Sequence, residues 1–259
     1  MFYARELTLK LLIVYRGDIM CLQEVDESAY HKYLNPILSR HGYLSHHTTK
    51  NGTTVEGCAT FVSSNTFNVL HTIDLSFRDV FASQSAIVGS YLHTLCRYKP
   101  DVHEILTKKI TTIAQISILS YKHDPHHLCL AVNTHLFYHP DAAYIRLLQI
   151  HEIMERVDLV KTSILAFNGQ ENAESKLQLY INSLTISAKE QHRDGVKSSL
   201  SPLDDVHNED DGFERVLSTS ELGGAEDTLI NKADFEVSCL VFGDLNATPN
   251  SAAMQYLER

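Results

Sequence analysis

Three short segments hold the residues of this chain best suited to chemistry: Cys21-Leu-Gln-Glu-Val-Asp26, Asn133-Thr-His135 and Gly243-Asp-Leu-Asn246. Each closes or follows an apolar run of strand type, so a carboxylate or an imidazole is delivered where a buried strand meets a loop. Glu24 is a hard oxygen ligand of the kind Mg²⁺ takes, since that ion binds through one or two carboxylates together with substrate phosphate. Asp244 and Asn246 are one residue apart and would project to the same side of an extended segment. An ionised Asp can orient and deprotonate a water, and a neutral amide can donate to charge growing on phosphorus oxygens. His135, at its strand end, could hold a phosphate oxygen or protonate a leaving oxygen. The implied chemistry is metal-assisted phosphodiester hydrolysis. Each residue taken alone has a plainer reading: Glu24 as a solvated strand end, and Asp244 with Asn246 as a turn pair ahead of Thr248-Pro249.

The elements that must position these groups follow from periodicity. Leu7, Leu11, Leu12 and Tyr15 have helical spacing and Gly17 stops them, after which Asp18 to Gln23 reads as a buried strand. Residues 28 to 40 read as a helix with Tyr30, Tyr33, Leu34, Ile37 and Leu38 on one face. Gly57 to Val62 and Phe67 to Ile73 read as paired strands around a turn at Ser63-Ser-Asn65, and Ile110 to Leu119 with Leu128 to Thr134 as a second hairpin. Ala142 to Val160 is helical, with Ile145, Leu148, Ile153 and Val157 inward. From Asn168 to Ala233 the composition turns to Ser, Asp, Glu, Asn and Lys, which reads as a disordered acidic insertion with one helical stretch from Ser175 to Leu184. Phe235 to Phe242 is again a strand, leading to Asp244.

With 259 residues, 44% hydrophobic and 21% charged, the chain can bury one substantial core. The net charge of −10 argues against broad, sequence-independent nucleic-acid binding, which needs clustered Lys and Arg, but leaves room for a nucleotide held through a metal. Much of the acidity belongs to the 168–233 segment. Five widely spaced cysteines without a CxxC pair read as reduced core thiols of an intracellular protein. No apolar stretch reaches the roughly 18 residues that span a bilayer, no targeting segment is visible, and neither a membrane nor a stable protein partner is expected. Most of the 15 histidines are expected at the surface, including His46-His47 and the His123 to His127 tract, whose spacing lacks metal-ligand companions.

Taken together and in this order, the LQE, NTH and GDxN segments resemble the endonuclease/exonuclease/phosphatase superfamily. Asp18 to Asp26, Glu56 to Phe61, Asn133 to Pro140 with Tyr144 to Gln149, and Gly243 to Pro249 are most similar to its 2′,5′-phosphodiesterase branch, beside the deadenylases. The resemblance implies a two-sheet α/β sandwich and Mg²⁺-dependent cleavage of 2′,5′-oligoadenylate and poly(A), releasing AMP from an adenylate oligonucleotide or RNA 3′ end. It makes Glu24 the metal ligand, Asp244 the activator of water, Asn246 the stabiliser of the transition state, and His135 the phosphate contact. Glu56 would orient that histidine, although an exposed turn residue is the plainer reading. Asn133, Tyr138, Pro140 and Arg146 would meet the substrate, with Pro140 and Tyr138 offering flat surfaces to an adenine base. The resemblance suggests the mitochondrial matrix as compartment, with the cytoplasm as the alternative.

The family also carries a metal-side Asn before the LQE motif, and an Asp and a second His after GDxN, that these 259 residues do not contain. The chain is therefore expected to be a partial domain over 1–259, incomplete at the C-terminus and interrupted by the insertion, with little activity by itself. Two other readings remain: a deadenylase or broader nuclease, and a noncatalytic interaction protein whose acidic segment is the functional part.

Overall fold

In the computed structural model, residues 2–83, 97–184 and 233–258 are described. Two sheets face each other with helices on both outer sides. The first sheet has the order β1-β3-β2, with β1 Ile19–Asp26, β2 Tyr43–Thr49 and β3 Glu56–Ser63, all antiparallel. The second has the order β4-β5-β6-β7, with β4 Phe67–Ser76, β5 Ile113–Tyr121, β6 His127–His135 and β7 Glu236–Asp244. Here β4, β5 and β6 are antiparallel and β7 runs parallel to β6. The fold is a two-sheet α/β sandwich.

Alternation along each strand sorts the side chains into layers. On β6, Leu128, Leu130 and Val132 join the core formed with the long helix, whereas Cys129 and Ala131 face the other sheet. The same parity carries Asn133 and His135 onto the inter-sheet face. On β7, Val237, Cys239 and Val241 lie against the helical layer and Phe242 between the sheets, so Asp244 follows Phe242 onto the inter-sheet face. The layer between the sheets has an apolar half, built from Val62, Phe67, Leu119, Cys129 and Ala131, and a polar half containing Thr60, Gln115 and Asn133.

The helices are α1 Phe2–Tyr15, α2 Glu27–Ala29, α3 Asn35–Arg40, α4 Phe77–Ala82, α5 Pro100–Glu104, α6 Ala143–Leu165, α7 over residues 173–184, and α8 Ala252–Leu257. Helix α1 packs through Leu9, Leu12 and Ile13, while Leu11 and Tyr15 are exposed, so its inner face differs from the one read in the sequence. The expected helix over 28–40 is broken by a π-type turn, Tyr30–Leu34, just before Pro36. Tyr30, Leu34 and Leu38 still pack in one cluster with Phe61, while Tyr33 is exposed.

Two expectations are corrected and one strand is added. Strands β3 and β4 do not pair: the Ser63–Thr66 turn passes the chain from one sheet to the other, and β3 pairs with β1 and β2 instead. Its residues from Gly57 onward are all buried, as befits a central strand covered on both faces. Strand β2 was not foreseen, because Ser45, His46, His47, Thr48 and Thr49 carry no apolar alternation. Finally, the expected insertion does not begin at Asn168: Ala173, Leu177 and Ile181 are core residues, and Asn168 exchanges two hydrogen bonds with the backbone of Phe235. The remainder of that expected insertion, residues 185–232, lies outside the described residues.

Candidate active site

Glu24 sits on a bulge. Leu22 pairs with Ala59 and Val25 with Gly57, so β1 spends three steps where β3 spends two, and the extra residue places Glu24 in the left-handed region with φ +55°. A non-glycine residue there costs about 1–3 kcal/mol and persists only where its surroundings enforce it. The bulge turns the carboxylate out to solvent, as bulges beside functional sites re-aim a side chain.

His135 and Asp244 are register partners at the ends of β6 and β7. Gly243, with φ +149°, makes this pairing possible: a Cβ there would lie 1.9 Å from the Thr134 carbonyl oxygen. Asp244 Oδ2 is 4.0 Å from His135 Nε2, and Oδ1 accepts from the backbone N–H of Asn246 at 2.9 Å. An oxygen about 2.8 Å from both His135 and Asp244 would be held between them. The imidazole is almost buried and its Nδ1 has no hydrogen-bond partner among the described residues, whereas the Asp244 side chain is 58% exposed, an arrangement open to solvent on the carboxylate side.

Asn246 does not continue the strand. Its φ is +46°, its backbone closes an Asx turn on Asp244, and its Nδ2 donates to the Leu136 carbonyl at 2.8 Å. The turn reading and the functional reading therefore coexist: one amide hydrogen fixes the loop and the second remains to donate elsewhere.

Other sequence assignments are corrected. Glu56 Oε1 accepts from Lys50 Nζ at 2.6 Å and no described residue bonds His135 Nδ1, so Glu56 does not orient His135. Arg146 is buried and its guanidinium donates to the carbonyls of Phe137 (3.1 Å), His139 (2.6 Å) and Pro140 (3.1 Å), which clamps the loop rather than meeting a substrate. Gln149 accepts from the Phe137 N–H at 3.0 Å and steadies the same loop. Tyr138 and Pro140, which the clamp presents, are exposed. Asn133 is fully buried between the sheets and is likewise no surface contact. It holds Gln23, whose Nε2 donates to Asn133 Oδ1 at 2.7 Å, and its register partner is Phe242. This link brings the Glu24 end of β1 and the Asp244 end of β7 to the same end of the sandwich.

Sequence reasoning missed Gln23, Thr60 and Gln115 as contributors. The available signal was a polar residue inside an otherwise apolar strand, as in Ile113-Ala-Gln-Ile-Ser-Ile-Leu119.

Among the described residues no three of His, Cys, Asp or Glu gather as ligands for a metal ion. Glu24, an exposed carboxylate on an enforced bulge, is nevertheless of the right chemistry to anchor Mg²⁺, which keeps several waters and needs few protein ligands.

No protein-family model matches the sequence. Human 2′,5′-phosphodiesterase 12 is 30% identical over 198 residues, covering 74% of this chain and 31% of that protein. The CCR4-Not complex 3′-5′-exoribonuclease subunit Ccr4 of Candida albicans is 25% identical over 182 residues, covering 67% of this chain and 22% of that protein. Among solved structures, the catalytic domain of human Nocturnin with bound sulfate aligns at a TM-score of 0.48 and 20% identity, covering 62% of this chain and 52% of that one. The chain thus spans about a third of the length of the first of these relatives. From its motifs, the strand ends on which they fall and this likeness, the chain belongs to the endonuclease/exonuclease/phosphatase superfamily of hydrolytic nucleases and phosphodiesterases.

Proposed function

We propose that the chain contributes a Mg²⁺-dependent phosphodiesterase site that cleaves adenylate oligonucleotides or an RNA 3′ end, in 2′,5′ or 3′,5′ linkage, with release of AMP. The observation that carries this reading is the 4.0 Å placement of His135 Nε2 against Asp244 Oδ2, at the same end of the sandwich as Glu24. The names of the relatives, a 2′,5′-phosphodiesterase and a 3′-5′-exoribonuclease, support phosphodiester and RNA chemistry.

In this reading Glu24 holds Mg²⁺, which when bound neutralises charge on the phosphate oxygens. Asp244 accepts the proton of the attacking water through Oδ2, its other oxygen being held by the Asn246 backbone. His135 Nε2 binds a phosphate oxygen or delivers the proton that the leaving oxygen takes up. The second amide hydrogen of Asn246 meets charge developing on the phosphate. Tyr138 and Pro140, on the loop clamped by Arg146, offer the terminal adenine a surface.

Single-turnover incubation of excess protein with Mg²⁺ and 2′,5′- or 3′,5′-linked triadenylate tests this. Slow AMP release, lost with EDTA and in the Asp244→Asn protein, is the expected result. Release that survives EDTA, or no release from either linkage, overturns the proposal for this chain.

A further inference from the structure

We propose that Asn133 is a positioning residue for Glu24, acting as one link of a directional hydrogen-bond chain that crosses between the sheets from Asp74 on β4 to the bulge in β1. The inference rests on the reading of Glu24 as the carboxylate that holds the metal. Asn133 Nδ2 stands among four acceptors: the carbonyls of Leu22 (3.3 Å) and Ala59 (3.2 Å), Thr60 Oγ1 (3.1 Å) and Gln115 Oε1 (3.4 Å). Its Oδ1 accepts from Gln23 Nε2 at 2.7 Å. Turning the amide over would set its oxygen against four oxygens, so its orientation is fixed by its surroundings. Two of these bonds reach Leu22 and Gln23, the residues that lead into Glu24 at the register break. A left-handed glutamate needs such enforcement.

The direction of the chain is set at its far end. A carboxylate only accepts, and Thr48 Oγ1 gives its single proton to Asp74 Oδ1 at 2.6 Å. Towards Gln115 the Thr48 hydroxyl can then only accept, which it does from Nε2 at 2.8 Å. That turns Gln115 Oε1 to Thr60, whose hydroxyl donates to it at 2.7 Å. Having spent its proton, Thr60 accepts from Asn133 Nδ2, and Asn133 Oδ1 is left facing Gln23. Thr60, Gln115 and Asn133 are all buried, so water does not compete for these links. The arrangement has the logic of outer-shell partners that fix a metal ligand, whose loss costs about 10–100-fold in metal affinity.

The test titrates the protein with Mn²⁺ alone, as a spin-active stand-in for Mg²⁺, and reads free Mn²⁺ by electron paramagnetic resonance well below each melting temperature. Thr60→Val removes the joining hydroxyl at constant volume, Thr60→Ser restores it, Gln115→Met removes the amide, and Glu24→Gln removes the ligand. The expected result is a Kd raised about tenfold or more by Thr60→Val and Gln115→Met, binding close to the parent in Thr60→Ser, and no binding in Glu24→Gln. A role confined to stability would lower the melting temperature and leave Mn²⁺ affinity of the folded protein unchanged. If Glu24→Gln abolishes binding while Thr60→Val and Gln115→Met bind like the parent, the positioning role is overturned and the metal assignment stands. If Glu24→Gln binds like the parent, or the parent itself does not bind, the metal assignment falls and the inference with it. Loss of the folded state in both Thr60→Val and Gln115→Met would make the chain a structural element only, which also overturns the inference.

Discussion

His135 Nε2 and Asp244 Oδ2 lie 4.0 Å apart at the carboxyl ends of two parallel neighbouring strands, too far for a direct hydrogen bond and near enough to share an oxygen between them. Parallel strands bring this about because their reactive ends fall on one side, where open α/β sheets gather ligands. Asp244→Asn keeps the shape and the Asn246 turn, since an amide oxygen can still accept from the Asn246 N–H. Turnover of oligoadenylate should fall by about 10²-fold or more, with substrate affinity little changed. Single-turnover rates set against equilibrium binding read the two separately. Near-parental rates would assign the proton to another group.

Glu24 combines an exposed carboxylate with a φ of +55°, so its backbone and its side chain make opposite demands. Glu24→Gly satisfies the backbone and deletes the ligand. Stability should rise by about 1 kcal/mol from relief of strain, which for a protein of this size is a few degrees in Tm, while Mg²⁺ dependence of activity disappears. Thermal unfolding without added metal measures the first effect. A lower Tm would show that contacts of the Glu24 side chain outweigh the strain.

The clamp of Arg146 on the carbonyls of Phe137, His139 and Pro140 accounts for an exposed Tyr138-His-Pro140 segment that is nonetheless ordered. Arg146→Met keeps the length of the side chain and removes every donor. Hydrogen bonds to a charged donor contribute roughly 1.5–3 kcal/mol each but not additively, so a loss of about 3 kcal/mol is expected in urea unfolding. Arg146→Lys should rescue little of it, because one ammonium cannot reproduce the planar fork. Adenylate affinity should weaken alongside, and unchanged affinity would remove the loop from substrate binding.

The sequence carried much of this arrangement and missed its cross-links. The order of strands β1, β3, β4, β5, β6 and β7 was legible because each is a largely apolar run bounded by turn residues, and the strand ends named Glu24, His135 and Asp244. The β5–β6 hairpin was legible as well, whereas the partner of β3 was not: a short turn such as Ser63 to Thr66 serves a hairpin or a crossover equally well. The resemblance makes Arg146 a substrate contact, yet three carbonyls in one loop satisfy its guanidinium in the interior. Glu56 was assigned to His135 from the resemblance, while Lys50, six residues away on the approach to the same strand, takes its carboxylate. The inter-sheet chain through Thr60 and Gln115 joins residues far apart in sequence, and no local pattern announces it.

Leu177 is a discriminating case, because its surroundings in sequence suggest a solvated insertion while it is only 8% exposed and belongs to the main core. Leu177→Ala should cost about 2–3 kcal/mol, the lower part of the range for buried Leu-to-Ala changes, since a little of the side chain still meets solvent. The exposed Leu179, on the other side of the same helix, should tolerate Ala within about 0.5 kcal/mol. Equal and negligible effects at both positions in urea unfolding would return residues 173–184 to the insertion.

Glu152 lies inside helix α6 with 5% exposure and an Oε1 that has no hydrogen-bond partner among the described residues. Burial pushes its pKa above the ordinary 4.5, with His151 and Arg156 pulling the other way. The folded protein therefore holds this proton more tightly than the unfolded chain, and stability falls as pH rises from about the unfolded value through the folded one. Above that window the native state carries a desolvated charge, and below it both states are protonated and the penalty vanishes. Glu152→Gln keeps the shape without the charge, so it should stabilise the protein at pH 7 and lose that advantage below about pH 4.5. Urea unfolding of the parent and the Glu152→Gln protein across pH 4 to 8 reads the difference directly. An advantage that is constant with pH would mean that the substitution acts through packing, and a disadvantage at pH 7 would mean that the Glu152 carboxylate is stabilised in the native state by a favourable interaction.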